Sequence, residues 1–124
     1  MPDTATLEAA VQAYVAALNT GNLEAIVALY ADDATVEDPV GSAPIRGREA
    51  IRAFYAKSLA LPLQVALEGE IRVAGLECAF PFSVAFEWQG QRSVFRPIDT
   101  FRFDEQGRIV QMRAYFGPTN IHRV

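Results

Sequence analysis

The chain has 124 residues, 51% of them hydrophobic and 21% charged, with a net charge of −4. That length suits one domain, spanning residues 1–124, that buries about two thirds of its unfolded surface, and the composition excludes a disordered chain. No cluster of Lys and Arg is present to hold phosphates, no apolar run approaches a membrane span, and residues 1–20 lack a signal-peptide pattern, so neither nucleic acid nor a membrane is an expected partner. The single cysteine, Cys78, excludes an internal disulfide and makes a cytoplasmic setting the expectation.

Leu7, Val11, Tyr14, Val15 and Leu18 recur at helical spacing. Asp3, Thr4 or Thr6 can cap this first helix, and Gly21 ends it. Asn22 can cap a second helix whose inner face carries Leu23, Ile26, Val27 and Tyr30. A short strand follows over Ala34–Val40. Period two puts Asp38 on the side of Ala34 and Val36, whereas Glu37 shares the other side with Thr35. Pro39 ends the ladder, leaving Asp38 at a strand end beside a constrained turn. After the loop residues Gly41, Pro44 and Gly47, a third helix is expected from Arg48 to Leu59, with Ile51, Phe54 and Tyr55 facing inward.

From Pro62 the period switches to two. Leu63, Val65, Leu67, Ile71 and Val73 alternate with polar residues, and Gly69 marks a bend. Cys78, Phe80, Phe82, Val84, Phe86 and Trp88 share one face of the next strand. Gln89-Gly90-Gln91 turns the chain into a strand that points Phe95, Pro97, Asp99, Phe101 and Phe103 the same way. Asp104–Gly107 makes another hairpin, and Val110, Met112, Ala114 and Phe116 line one face of the last strand. These elements predict an α+β domain, with three helices on one face of a curved four-stranded antiparallel meander and an apolar pocket between them.

Three polar side chains point into that apolar layer. Asp38 reads as a general base, or alternatively as a turn-initiating Asp bonded to its own backbone. Asp99 reads as a buried carboxyl kept neutral by desolvation, or as a strand residue paired with Arg96 or Arg102 through a register shift at Pro97. Tyr14 reads as a neutral proton donor, or as a core tyrosine whose hydroxyl is satisfied by Tyr30 or Tyr55. Other catalytic arrangements fail on inventory. The only histidine, His122, sits at the C-terminal end, and neither clustered metal ligands nor a Gly-rich phosphate loop is present. The remaining chemistry is proton transfer without a cofactor.

The stretches YVAALNTGNLEAIVALYADDATVEDPVGS, IRAFYAKSL, PIDTFRF and MRAYFGPTNIH resemble the bacterial Δ5-3-ketosteroid isomerase family, within the nuclear transport factor 2 superfamily. The resemblance covers essentially the whole chain and implies a cone-shaped α+β fold. It also implies conversion of 3-oxo-Δ5-steroids to 3-oxo-Δ4-steroids, no cofactor, and a homodimer through the outer sheet face. It places the family's base on Asp38 and its oxyanion donors on Tyr14 and Asp99, backed by Tyr30 and Tyr55. It places the steroid-lining positions on Phe54, Phe82, Val84, Phe86, Met112, Ala114 and Phe116. Thr100 departs from close members, which can have His there, and by alternation it faces away from the pocket. Competing readings are another enzyme on the same fold, such as a dehydratase, epoxide hydrolase or polyketide cyclase, and a non-catalytic binding or association domain.

Overall fold

In the computed structural model, which describes residues 1–124, α1 spans Thr4–Thr20 and buries Leu7, Val11, Tyr14, Val15 and Leu18 on one stripe. The Asp3 carboxylate caps it by accepting from the Thr6 N–H at 2.8 Å. Gly21 ends it at φ 65°, and the N–H groups of Gly21 and Asn22 donate to the Leu18 and Ala17 carbonyls. Asn22 then caps α2, Leu23–Val27, through the Ala25 N–H. α3, Arg48–Ser58, buries Ile51 and Tyr55.

The second helix stops short of Tyr30. That residue opens β1, Tyr30–Glu37, because long-range pairing overrides the helical spacing. Tyr30 lies in register with Ile109, whose N–H donates to the Leu29 carbonyl at 2.9 Å, and Arg48 donates twice to the Tyr30 carbonyl. The tyrosine ring remains fully buried.

The sheet is larger than a four-stranded meander and is not wholly antiparallel. Its strands are β1, β2 (Ile45–Arg46), β3 (Gln64–Leu67), β4 (Arg72–Ala74), β5 (Glu77–Trp88), β6 (Gln91–Phe95), β7 (Ile98–Phe103), β8 (Ile109–Tyr115) and β9 (Ile121–Arg123). Their order is β2-β1-β8-β7-β5-β6-β9, with β3 and β4 also paired to β5. β1 runs parallel to β8, which the long intervening connection permits. The stretch after Pro62 divides at Gly69 into β3 and β4. A Cβ at Gly69 would stand 3.2 Å from the Pro81 side chain, so the bend presses against the middle of β5.

β5 changes partners near Pro81, pairing with β7 up to that residue and with β6 from Val84 onward. Arg96-Pro97 breaks the neighbouring chain at the same level, where the Phe82 N–H donates to the Pro97 carbonyl. The two prolines bend the sheet, and the bend opens its inner face beneath α1 and α3. Between β7 and β8 the register shifts, with Phe103 opposite Ile109 but Arg102 opposite Gln111. This irregularity makes Ile109, rather than the expected Val110, the buried residue that precedes Met112 and Ala114. No helix is long and apolar enough to cross a membrane.

Helix α1 is tied to the sheet by Asn19. Its side-chain amide donates to the Val65 carbonyl and accepts from the Val65 N–H, both at 2.7 Å. Asn19→Ala is expected to lower the unfolding free energy by about 1–2 kcal/mol in urea denaturation, because both backbone groups of Val65 lose their partner. Unchanged stability would show that water replaces the amide without cost.

Candidate functional site

Between the helices and the bent half of the sheet lies a cavity of about 560 Å³, within the range of small-molecule sites. Fourteen of its nineteen lining residues are hydrophobic, and Tyr14, Asp38 and Asp99 all open onto it. A hollow of about 620 Å³ also exists, but it is walled by outward-facing charged residues, among them Asp33, Glu37, Arg46, Arg102 and Arg113. Only three of its twelve lining residues are hydrophobic. An apolar ligand finds dry walls only in the smaller space.

Asp99 enters the cavity from β7, in register with Phe80 on one side and Ala114 on the other. It is 2% exposed, and its Oδ1 has no hydrogen-bond partner. Neither arginine reaches it, since Arg96 pairs with Glu68 and Arg102 points to the exposed face. Burial without a cation raises its pKa well above the usual carboxylate range, and the charge of Asp38 pushes the same way. Both effects favour the protonated form of Asp99.

Asp38 follows β1 directly, across a cis peptide bond to Pro39. Two contacts with β8 bracket it. Glu37 lies opposite Arg113, and the Val40 N–H donates to the Ala114 carbonyl at 2.8 Å. The turn's N–H groups are satisfied elsewhere, Gly41 by the Glu37 carboxylate and Ser42 by the Pro39 carbonyl, so Asp38 does not cap it. Asp38 is partly buried, and desolvation raises its pKa to about 6. It is ionised at neutral pH yet basic enough to take a proton. Glu37 faces the other way. Its hydrogen bond from the Gly41 N–H and its pairing with Arg113 Nε at 3.0 Å hold its carboxyl below the usual range.

Tyr14 is 3% exposed, and its hydroxyl lies 2.9 Å from that of Tyr55, which lies 2.6 Å from that of Tyr30. Burial raises all three well above the ordinary phenol value and keeps them neutral. Phe101 packs edge-on against Tyr14, with ring centroids 5.2 Å apart. The chain thus brings two carboxyl groups and a phenol to a single apolar space.

Of the expected wall residues, Phe54, Phe82, Val84, Phe86, Ala114 and Phe116 line the cavity. Met112 does not. It lies on the inner face of β8, two residues from Ala114, at a depth where the helices close on the sheet and bury it fully. Sequence reasoning left out Leu18, Leu61, Leu63, Trp88, Phe95 and Pro97 as wall residues. Trp88, Phe95 and Pro97 share the inward phase of the other aromatic positions, a signal that could have found them. Leu63 opens the alternation that continues in Val65 and Leu67, whereas Leu61 precedes Pro62 at a junction that carries no such pattern.

A SnoaL-like domain profile matches residues 11–112. The chain is 43% identical over 115 residues to the steroid Delta-isomerase of Nocardioides simplex, covering 93% of each protein. It is 30% identical over 113 residues to the epoxide hydrolase LasB of Streptomyces lasalocidi, covering 86% of this chain and 40% of that one. Among solved structures, it is similar to the epoxide hydrolase/cyclase-like enzyme SalBIII of pyran ring formation in salinomycin, with a TM-score of 0.90 at 26% identity over 98% of both chains. It is also similar to RV0760c of Mycobacterium tuberculosis, with a TM-score of 0.88 at 27% identity over 100% of both chains. Shared fold, shared length and the 43% identity agree: the chain belongs to the SnoaL-like domain family, has the nuclear transport factor 2-like α+β fold, and within that family is a relative of steroid Delta-isomerase.

Proposed function

We propose that the protein is a steroid Δ-isomerase that converts 3-oxo-Δ5-steroids to 3-oxo-Δ4-steroids by moving one proton from C4 to C6. The observation that carries this reading is the buried Asp99 carboxyl, whose Oδ1 is unpartnered on the wall of an apolar cavity. A buried polar atom without a partner costs about 1–3 kcal/mol, which a ligand oxygen bound there would offset. In this reading the steroid ketone accepts hydrogen bonds from the Tyr14 hydroxyl and from protonated Asp99. Carboxylate Asp38 removes a proton from C4, the electron pair moves through the carbonyl, and a dienolate forms. Asp38 then returns the proton to C6, so atoms and charge balance without a co-reactant. Both donors act most strongly when negative charge has grown on the oxygen, and the gain therefore appears in the rate. Tyr55 and Tyr30 serve as a positioning chain behind Tyr14.

The epoxide-opening relatives suggest a second reading, in which neutral Asp99 would protonate an epoxide oxygen. The higher identity and fuller coverage of the isomerase relative favour enolisation. Mixing the protein with androst-5-ene-3,17-dione and following the ultraviolet band of the conjugated enone tests the choice, and no band would reject the isomerase.

Asp38→Asn changes little but basicity and is expected to abolish nearly all turnover while steroid affinity survives. With the wild type, kcat/KM should fall as pH drops through about 6, because only ionised Asp38 accepts the proton. An active Asp38→Asn enzyme would contradict the assignment.

Asp99→Leu is expected to slow turnover about a hundred- to a thousandfold with the unfolding free energy unchanged or raised. The direction follows from the raised pKa. The native state retains a proton that the unfolded chain releases above about pH 4, so this group's contribution to stability is present below that pH and lost as pH rises. Loss of fold in Asp99→Leu would mark Asp99 as structural.

We also propose a homodimer through the outer sheet face, where Ile98 and Tyr115 lie in register, 47% and 44% exposed. Ala85, which alternation along β5 would place on that face, is buried and contributes no open surface. Equilibrium sedimentation should give twice the chain mass at micromolar concentration, and a monomer would remove the idea.

A further inference from the structure

The mouth of the cavity carries a charge that the proton transfer does not use. Lys57 is the chain's only lysine and the only cation among the residues lining the cavity. It lies in the last turn of α3, exposed, and none of the protein's ion pairs includes it. Its neighbour Ser58 already donates its hydroxyl to the Phe54 carbonyl, which leaves the ammonium as the unengaged polar group of this edge. Trp88, 57% exposed at the end of β5, lines the same cavity. Tyr14 and Asp99, by contrast, are buried. The space therefore runs from a buried inner end at Tyr14 and Asp99 to an exposed edge that carries one positive charge.

We infer that Lys57 forms an anion subsite at the cavity mouth, and that the preferred substrates are 3-oxo-Δ5-steroids carrying a carboxylate on ring D. This rests on the isomerase reading, since a ketone held between Tyr14 and Asp99 directs the opposite end of the rigid ring system toward the mouth. The flexible four-carbon stem lets the ammonium swing over that end, and the apolar walls beside it provide no competing anion. The acids that line the cavity, Asp38 and Asp99, serve the reacting end. Lys57 also sits favourably at a helix C-terminus, but that placement alone would make no distinction between charged and neutral steroids.

Binding of 3-oxoandrost-4-ene-17β-carboxylate and of its methyl ester can be followed through Trp88, the chain's one tryptophan. In Lys57→Gln the Kd of the acid should rise about two- to fivefold more than that of the ester, the scale of an exposed ion pair. Lys57→Arg should retain most of the preference, and the difference should shrink in high salt. For the corresponding Δ5 pair, the loss should appear in KM with kcat held, because the contact is the same in ground and transition states. Equal changes for acid and ester overturn the subsite, whether or not turnover is seen. Absence of an enone band from both Δ5 steroids, with acid and ester still told apart by fluorescence, supports the subsite and overturns only the isomerase reading.

Discussion

Desolvation of a single carboxyl organises this molecule. Asp99 stands in a layer of aromatic side chains with Phe80 and Phe101 beside it, no arginine within reach and one oxygen without a partner. An ionised carboxylate there would cost far more than a protonated one, so the surroundings favour the neutral acid. The same cavity treats Asp38 differently. At a strand end, partly open to the cavity, it is shifted only to about 6 and remains charged at neutral pH. Burial thus acts more strongly on Asp99 than on Asp38, because the two stand at different depths.

The rest of the fold can be understood as the means of holding those depths. Pro81 and Pro97 bend the sheet and open a space that a flat sheet would close. Contacts on both sides of Asp38, from Glu37 to Arg113 and from Val40 to Ala114, fix the strand end from which its carboxylate projects. Behind Tyr14, the hydroxyls of Tyr55 and Tyr30 satisfy a phenol that would otherwise be a second orphan. Each device acts on position, and the pKa differences follow from position.

Much of this was legible in the residue order, for identifiable reasons. Helices α1 and α3 carry one clean stripe each, and strict alternation in β7 by itself places Asp99 among Phe101 and Phe103. What escaped depends on partners distant in the chain. Tyr30 has helical spacing from Ile26, yet pairing with Ile109 draws it into a strand. Val110 and Ile109 exchange roles because of an irregularity that only the β7–β8 ladder reveals. Met112 has the phase of a wall residue but not the depth, and depth is set by where the helices cross. The anchoring of Glu37 by Arg113, 76 positions away, has no local signature.

Carboxyl-carbon NMR of protein carrying 13C-labelled aspartate reads directly whether one aspartate stays a neutral acid while the other is a carboxylate at the same pH. One resonance should stay at the protonated position through neutral pH and disappear in Asp99→Leu. A second should titrate near 6 and disappear in Asp38→Asn. A spectrum in which every aspartate titrates in the ordinary range of about 3 to 5 would contradict both.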